Sequence, residues 1–237
     1  MLLEIKKFSK SYGNNTKKAV DNLNLTINRG EIFGFVGHNG AGKTTTIKAI
    51  VGINEIDEGD IFIDNISIKD NAIECKRKMA YIPDNPDIYT SLTGIGYLNF
   101  IADIYDVSVK VREALIEKYA KIFEIHNYLG DLISTYSRGM KQKLVIIGAL
   151  IHQPKLLVLD EPFVGLDPMS THNLKNIMKD LCKEGTSIFF SSHVLEVVEK
   201  LCDRVGIIKK GELIACGEMK ELKGDKDLES IFLELNE

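Results

Sequence analysis

The chain has 237 residues, of which 44% are hydrophobic and 27% charged, and its formal net charge is −4. A chain of this length and composition can bury the core of one large globular domain or two small ones. Its weak negative charge gives no reason to expect nucleic-acid binding by bulk electrostatics.

The cysteines and the apolar runs suggest a cytoplasmic protein. The four cysteines lack Cys-x-x-Cys spacing, so zinc is not expected and free thiols in a reducing compartment are the simplest interpretation. The longest apolar run, LVIIGALI, has eight residues, whereas a helix needs roughly 20 to cross a bilayer. The N-terminal stretch MLLEIKKFSK is too short and too charged for a secretory signal. Any membrane role is therefore expected to come from a partner.

The first third of the chain has the patterns of β-strands. Residues 2–8, 22–27 and 31–36 are rich in apolar and β-branched side chains. Residues 58–68, EGDIFIDNISI, alternate apolar and polar positions around a central Asp-Asn, which predicts two strands joined by a turn.

The middle of the chain changes to helical periodicity. Between about residues 90 and 150, apolar side chains recur every three or four positions. Beyond it, residues 155–160, 187–192 and 204–210 form short, nearly continuous apolar runs, which are typical of parallel strands covered on both faces. We interpret residues 1–237 as one α/β domain with a helical subdomain, about 84–153, inserted in it.

Residues 37–44, GHNGAGKT, fit the phosphate-loop pattern G-x-x-x-x-G-K-[ST]. A predicted strand precedes this loop and a predicted helix follows it, which argues against a chance match. The glycines let successive backbone N–H groups point at phosphate oxygens. Lys43 would reach the β- and γ-phosphates and the Thr44 hydroxyl would coordinate Mg²⁺. The predicted nucleoside-triphosphate site consists of Gly37, His38, Asn39, Gly40, Ala41, Gly42, Lys43, Thr44 and Thr45.

Two later strands end in side chains suited to hydrolysis. Asp160 and Glu161 follow the apolar run KLLVL, at the sheet edge where open α/β proteins bind ligands. Asp160 is predicted to hold Mg²⁺ opposite Thr44, and Glu161 to act as general base on the attacking water. His193, after SIFFSS, could hydrogen-bond the γ-phosphate. The alternative for Asp160 and Glu161 is a solvated acidic loop, and the alternative for His193 is an ordinary histidine at a helix start.

The basic segment YSRGMKQKL, residues 136–144, predicts a helix start with Ser137 as its N-cap. Gly139 in the first turn and the nearby cations favour binding of an anion. The alternative is an ordinary amphipathic core helix with an exposed start.

These motifs together resemble those of the ATP-binding cassette (ABC) ATPases over essentially the whole chain. The phosphate loop, YSRGMKQKL, LLVLDEP, GLDP (Gly165 to Pro168) and SSH occur in the family's order. The family signature is Leu-Ser-Gly-Gly-Gln; Ser137 and Gly139 match it, whereas Arg138 and Met140 replace its first glycine and its glutamine. The resemblance implies a phosphate-loop NTPase core with a mainly parallel sheet, an N-terminal antiparallel β-subdomain and an inserted α-helical subdomain.

The resemblance also implies how the signature acts. In the family this helix start contacts the γ-phosphate of ATP bound to a second cassette, so two copies would enclose two ATP molecules head to tail. The implied contacts are Ser137, Arg138, Gly139 and Met140, with Asp167 near the junction. The resemblance thus implies a homodimer in the presence of ATP and Mg²⁺.

Three further positions follow from the resemblance. Tyr12 matches the aromatic residue that stacks on adenine, and Val20 would pack beside it. Asp84 stands where the family has a glutamine, and two roles are open for it: contact with Mg²⁺ or the attacking water, or the hinge between the subdomains. Residues 85–92 and the following helix would meet a permease.

The implied function is that of an energy-coupling subunit, peripheral on the inner face of the cell membrane through a separate transmembrane permease. The signature variant and the C-terminal segment DLESIFLELNE resemble export systems. A GTPase would need Asn-Lys-x-Asp, which the sequence lacks, and a small-molecule kinase would lack the signature helix. A non-transport cassette acting on nucleic acid or ribosomes is the remaining alternative, although such proteins commonly have two cassettes, a coiled coil or zinc insertions. We expect no nucleic-acid partner.

Overall fold

The computed structural model describes residues 1–13 and 17–235. Two sequence stretches discussed above extend beyond the described residues: the stretch that carries Tyr12 includes residues 14–16, and the C-terminal segment includes residues 236–237. Within the described residues the strands form two sheets.

The smaller sheet is antiparallel and contains four strands in the order β2-β1-β4-β5. Its strands are β1 (Leu3–Lys10), β2 (Val20–Ile27), β4 (Glu58–Ile63) and β5 (Ile66–Ser67). The two-stranded turn predicted for residues 58–68 is confirmed: Asp64 and Asn65, both at positive φ, make the connection that short polar side chains tolerate best.

The larger sheet has six strands in the order β10-β9-β3-β8-β7-β6, all parallel except the edge strand β10. Its strands are β3 (Ile32–Val36), β6 (Met79–Ile82), β7 (Leu156–Asp160), β8 (Ser187–Ser192), β9 (Arg204–Lys209) and β10 (Glu212–Glu218). Every residue of β3, β7 and β8 is buried, as expected for parallel strands covered on both faces.

The helices connect the strands, and those that lie between β6 and β7 in the sequence form a separate helical layer. They are α1 (Lys43–Ile50), α2 (Ala72–Arg77), α3 (Gly94–Ile104), α4 (Val109–Ile122), α5 (Arg138–Ile151), α6 (Pro168–Lys183), α7 (Leu195–Leu201), α8 (Met219–Lys223) and α9 (Leu228–Glu234). Short 3₁₀ turns occupy His126–Tyr128 and Ile133–Thr135. In residues 1–13 and 17–235, no helix has both the length and the apolar character that a bilayer crossing requires.

The two faces of the parallel sheet contribute to different apolar clusters, because successive strand residues point to opposite sides. On β8, Ile188 and Phe190 belong to the cluster that includes the buried residues of α3, α4 and α5. Phe189, between them, belongs to the cluster shared with the antiparallel sheet. The parallel sheet is therefore packed between the helical layer and the smaller sheet.

This architecture confirms the predicted fold class. The strands predicted at 2–8, 22–27, 31–36, 155–160, 187–192 and 204–210 are present within one or two residues of those bounds, as are the helices of the middle segment. The sequence patterns missed β6, β10, α2 and α8. Strands β6 and β10 lie at the two edges of the sheet, and β10 is only partly buried, so its apolar pattern is weak.

Candidate functional site

The phosphate loop joins β3 to α1 and depends on glycine at two positions. Gly42 has φ +113°, and a Cβ there would lie 2.7 Å from the carbonyl oxygen of Ala19. A Cβ at Gly37 would lie 2.4 Å from the carbonyl oxygen of Ile208. Because backbone atoms cannot move aside as a flexible side chain can, only glycine fits at these two positions.

Lys43 is the first residue of α1, and its ammonium group lies inside the curve of the loop. Its Nζ donates hydrogen bonds to the carbonyl oxygens of Gly37 (2.6 Å) and His38 (3.2 Å). Burial lowers the pKa of Lys43, and the nearby carboxylates of Glu161 and Asp160 oppose that shift. A buried cation in a glycine-rich loop at the start of a helix is suited to a polyphosphate.

Asp160 ends β7 and is held from two sides. Its Oδ2 accepts a hydrogen bond from the Thr44 hydroxyl at 3.0 Å, and its Oδ1 accepts one from the Ser191 hydroxyl at 2.6 Å. Strands β7 and β8 are parallel neighbours in which Asp160 and Ser191 are register partners, and this places the serine directly beside the carboxylate. Both oxygens of the aspartate are therefore oriented by hydroxyl groups.

The pair of Thr44 and Asp160 fits Mg²⁺. Hydroxyl and carboxylate oxygens are the hard donors that this ion prefers, and in nucleotide sites Mg²⁺ takes few protein ligands and completes its shell with phosphate oxygens and water. In the described part of the chain, no group of three or more His, Cys, Asp or Glu side chains could hold a metal ion without such help. Asp84 lines the same cavity, and its predicted metal contact stays a prediction.

Glu161 and His193 are paired at the carboxyl ends of β7 and β8. Nδ1 of His193 lies 3.0 Å from Oε1 of Glu161. The backbone at Glu161 is left-handed, with φ +50°, and its N–H donates to both the carbonyl oxygen and the hydroxyl of Ser191 at 3.3 Å. A strained turn thus aims the glutamate side chain along the sheet edge.

A cavity lies between the phosphate loop and the strand ends. It brings together the two parts of the predicted site that are most distant in sequence. Its described lining residues are Ala19, Asn39, Gly40, Gly42, Lys43, Thr44, Thr45, Asp84, Asp160 and Glu161. An adjoining cavity is lined in part by Gly37, His38, Asp84, Arg138, Glu161 and His193.

The start of α5 has the predicted cap. Ser137 is the N-cap, and its Oγ accepts a hydrogen bond from the N–H of Met140 at 3.2 Å. A Cβ at Gly139 would lie 2.9 Å from the carbonyl oxygen of Gly165, so the helix start packs closely on the loop before α6. Ser137 and Arg138 are exposed.

Asp167 lies next to this helix start and already has partners. Lys143 Nζ is 2.8 Å from its Oδ2, and Asp167 also caps α6 by accepting hydrogen bonds from the N–H (2.8 Å) and hydroxyl (2.7 Å) of Ser170. The hydrogen bond from Lys143, followed by those from Ser170, lowers the pKa of Asp167. The carboxylate is therefore ionised in a fixed position.

Tyr12 and Val20 lie in different environments. The Tyr12 ring is 47% exposed; its hydroxyl donates to Thr45 Oγ1 at 3.4 Å and accepts from Asn54 Nδ2 at 2.8 Å. Val20 is fully buried behind Gly42, in the core beneath the phosphate loop. Their predicted contacts with adenine stay predictions.

Sequence reasoning missed Ser191, Ala19 and Lys143. Ser191 was within the quoted motif SSH, but its role depends on the β7–β8 register, which a single sequence does not show. The sequence pattern could have suggested this role for Ser191, because a hydroxyl group at the end of one strand can hydrogen-bond a carboxylate at the end of the adjacent strand.

Comparison with known proteins identifies the family. The family model described as ABC transporter matches residues 20–164. The chain is 37% identical over 224 residues to the linearmycin resistance ATP-binding protein LnrL of Bacillus subtilis, covering 93% of this chain and 70% of that protein. It is 39% identical over 207 residues to the bacitracin transport ATP-binding protein BcrA of Bacillus licheniformis, covering 87% of this chain and 66% of that one.

Solved structures show the same fold. The ATP-binding subunit of an ABC transporter superposes over 100% of both chains with a TM-score of 0.95 and 32% sequence identity. The dimeric cassette MJ0796, bound to ADP and Pi, superposes with a TM-score of 0.84 over 92% of this chain and 99% of that one. At 23% identity, this second likeness shows the fold alone. The phosphate loop, the paired carboxylates and these relatives together establish that the chain belongs to the ABC transporter family, as an ATP-binding subunit that hydrolyses ATP.

Proposed function

We propose that this chain drives export of a compound through a separate transmembrane permease and works as a dimer of two identical cassettes that enclose ATP. The direction of transport is supported by the relatives, which are named for bacitracin transport and linearmycin resistance. The proposed location is the cytoplasmic face of the membrane, reached through the permease. The observation that carries the ATPase chemistry is the convergence of Lys43, Thr44, Asp160 and Glu161 on one cavity.

ATP binding follows from the loop geometry. The N–H groups of the phosphate loop and the Lys43 ammonium would bind the β- and γ-phosphates. Thr44 and Asp160 would hold Mg²⁺, which when bound neutralises phosphate charge. The exposed Tyr12 ring at the mouth of the site would stack on the adenine. Tyr12 is held there by its hydrogen bonds to Thr45 and Asn54.

Hydrolysis is assigned to Glu161 and His193. Glu161 accepts a proton from a water whose oxygen forms a bond to the γ-phosphorus, while the bond to the bridging oxygen of ADP breaks and phosphate leaves. The contact between His193 Nδ1 and the Glu161 carboxylate orients both side chains. It leaves Nε2 on the far side of the ring, where it can donate to the γ-phosphate when both ring nitrogens carry a proton.

The enclosed dimer is supported by the exposed start of α5. Ser137 and Gly139 place a helix N-terminus at the surface, and such a terminus favours an anion. Asp167 is fixed beside it by Lys143 and Ser170. MJ0796 forms a dimer, and the same fold in this chain is compatible with that assembly.

The permease contact is assigned to residues 85–92 and α3. Tyr89 and Phe100 are 63% and 43% exposed, and their rings meet edge to face at 6.0 Å. Ile104 continues this surface along α3 and is 52% exposed. A contiguous apolar patch on a helical layer is suited to receiving an apolar helix of a membrane protein.

The permease contact is tested by affinity purification of the chain from its native membranes. Tyr89→Ala combined with Phe100→Ala should lower the yield of a co-purifying multi-helix membrane protein. Ile73→Ala, which removes a 72% exposed apolar side chain on α2, is the matched control and should retain the partner. Equal loss with both variants would contradict the assigned surface.

Direction is tested with inside-out vesicles that contain the chain and that partner, with bacitracin as the probe. ATP should drive bacitracin into the vesicles, and the Lys43→Ala chain should not. ATP-driven movement out of the vesicles would contradict export. A chain that hydrolyses ATP but co-purifies with ribosomes or nucleic acid instead would favour the non-transport alternative.

A further inference from the structure

The C-terminal helix α9 contacts the phosphate loop. The ring of Phe232 lies against the imidazole of His38, with the ring centroids 4.8 Å apart and the ring planes at 60°. This separation and tilt are those of an edge-to-face aromatic pair. His38 is the second residue of the phosphate loop, so the contact joins the nucleotide site to the far end of the sequence.

Phe232 is the fixed partner in this pair. It is 7% exposed and belongs, with the fully buried Leu228, to the apolar cluster that includes the helical layer. The N–H of Leu228 donates a 3.0 Å hydrogen bond to Oε2 of Glu199 on α7. Nζ of Lys209, at the end of β9, donates a 3.0 Å hydrogen bond to the carbonyl oxygen of Leu235. Hydrogen bonds at both ends of α9 therefore hold Phe232 in place.

The phosphate loop is the partner that needs support. His38, Asn39 and Gly40 are exposed, and glycines at Gly37, Gly40 and Gly42 allow the backbone many conformations. Ordering such a backbone around a nucleotide costs conformational entropy. A ring contact that orders His38 before the nucleotide arrives removes part of that cost.

The backbone of His38 connects this contact to the cation of the site. Its carbonyl oxygen accepts a hydrogen bond from Lys43 Nζ at 3.2 Å, beside the 2.6 Å bond from the same ammonium group to Gly37. The orientation of the His38 peptide therefore helps to set where the ammonium group lies. Phe232 restrains the side chain of the residue that carries this oxygen.

Helix α9 also lies beside the catalytic edge of the sheet. Glu229, Phe232 and Leu233 line the adjoining cavity together with Glu161 and His193. A nucleotide that displaces the phosphate loop would therefore change the surroundings of α9 as well. Nucleotide binding and the packing of α9 are expected to influence each other.

We propose that Phe232 is a positioning residue for nucleotide binding: its ring holds His38, and with it the phosphate loop and Lys43, in the shape that receives the phosphates. Helix α9 thus supports the nucleotide site in addition to completing the core. The contact acts before the nucleotide binds, and the chemical step remains with Glu161. The assignment depends neither on the direction of transport nor on the dimer.

The first experiment measures the Kd for ADP by isothermal titration calorimetry, because ADP occupies the phosphate loop without turnover. Phe232→Leu removes the ring and keeps a large apolar side chain. It should raise the Kd roughly 2- to 10-fold, the range expected for one aromatic pair. The KM for ATP should rise by a similar factor with kcat retained, because the ground state and the transition state lose the same support. A folded Phe232→Leu protein with the Kd of the wild type would overturn the assignment.

Ile231→Ala is the matched control on the same helix. Ile231 is partly buried against the same apolar cluster and is outside the described linings of both cavities. This substitution should lower the free energy of unfolding in urea without raising the Kd for ADP. If it raises the Kd as much as Phe232→Leu does, general loosening of α9 explains the effect and the specific role of Phe232 is refuted.

The loop side of the contact is tested at His38, an exposed residue whose substitution is not expected to prevent folding. His38→Ala should raise the Kd for ADP as Phe232→Leu does, and His38→Phe, which keeps an aromatic ring, should recover most of that loss. If both residues act through one contact, the double variant of His38→Ala and Phe232→Leu should lose no more than either single variant. Strictly additive losses would contradict the assignment.

The last experiment uses the reciprocity of coupled binding. A contact that favours the nucleotide must itself be favoured by the nucleotide. Saturating ADP should therefore slow hydrogen exchange of the α9 amides in the wild type, and this slowing should be weaker in Phe232→Leu at saturating ADP. Lys43→Ala without bound nucleotide should show no slowing. Exchange of the α9 amides that does not respond to ADP in the wild type would show that α9 only completes the core.

Discussion

The Thr44 hydroxyl donates a 3.0 Å hydrogen bond to the Asp160 carboxylate across 116 residues of sequence. This contact joins the first helical turn after the phosphate loop to the end of β7. It exists because β3 and β7 both flank β8 in the parallel sheet, so their carboxyl ends lie at one edge. The two halves of the ATPase site are therefore assembled by strand order.

Removing the phosphate-loop ammonium should abolish tight ATP binding. Lys43→Ala deletes the buried cation that faces the phosphates, and we expect the Kd for ATP to rise by about 10²-fold or more, because charge-assisted hydrogen bonds to several oxygens are lost together. Isothermal titration calorimetry measures this. Lys48→Ala, on the same helix but in its last turn, should bind ATP as the wild type does. Comparable affinity for both variants would be inconsistent with the assigned site.

Glu161→Gln should separate binding from turnover. The amide keeps the size of the side chain but cannot accept the proton of the attacking water, so kcat should fall by on the order of 10² or more with ATP affinity retained. Light scattering with Mg-ATP should then show a dimer that is absent without nucleotide. Glu196→Gln, which alters an exposed glutamate paired with Lys200, should behave as wild type. A Glu161→Gln protein that turns over normally would exclude the general-base role.

Tyr12→Ala should weaken nucleotide binding, whereas Tyr12→Phe should largely preserve it. Stacking of a base on an aromatic ring contributes about 1–3 kcal/mol, and phenylalanine keeps the ring while losing the hydrogen bonds to Thr45 and Asn54. Because every base has a π-face, Tyr12→Ala should weaken the binding of GTP by a similar factor. Titrations with fluorescent ATP and GTP analogues measure the Kd of each variant for both nucleotides, relative to the wild type. Equal losses for the two variants would show that the hydroxyl, and not the ring, matters.

Asp64 should stabilise the fold through its charge. It accepts hydrogen bonds from Lys78 and Lys155 at 3.0 Å and pairs with Arg29. Burial raises its pKa, but the hydrogen bonds from Lys155 and Lys78 outweigh that effect and bring the pKa to about 2. A carboxylate with a depressed pKa stabilises the folded state above its unfolded pKa near 4, and this contribution is lost as pH falls from about 4 to 2.

Asp64→Asn should therefore lower the free energy of unfolding by about 1–2 kcal/mol at pH 7 and by the same amount at pH 5. Urea unfolding at the two pH values measures this. Asp106→Asn is the matched control: Asp106 also has positive φ, but its pair with Arg77 is largely exposed, so its loss should be small. A loss for Asp64→Asn that disappears between pH 7 and 5 would contradict the depressed pKa.

Local patterns in the sequence determined most of the strands and helices and identified a nucleoside-triphosphate site. The phosphate loop is recognisable because glycine is required where backbone atoms approach closely, as at Gly37 and Gly42, and the cap at Ser137 because its contact with Met140 spans one helical turn. The buried strands follow from continuous apolar runs. These features depend on neighbours along the chain, which a single sequence displays directly.

Contacts between remote residues were decided only by the tertiary structure. The Ser191–Asp160 hydrogen bond depends on strand register, the three cations around Asp64 on how the antiparallel sheet meets β6, and the His38–Phe232 contact on where α9 packs. The edge strands β6 and β10 were not predicted either, because their place at the edges of the sheet is also set by strand pairing. Strand pairing and side-chain charge balance are properties of the packed sheet, and no periodicity within one segment encodes which distant segment will lie beside it.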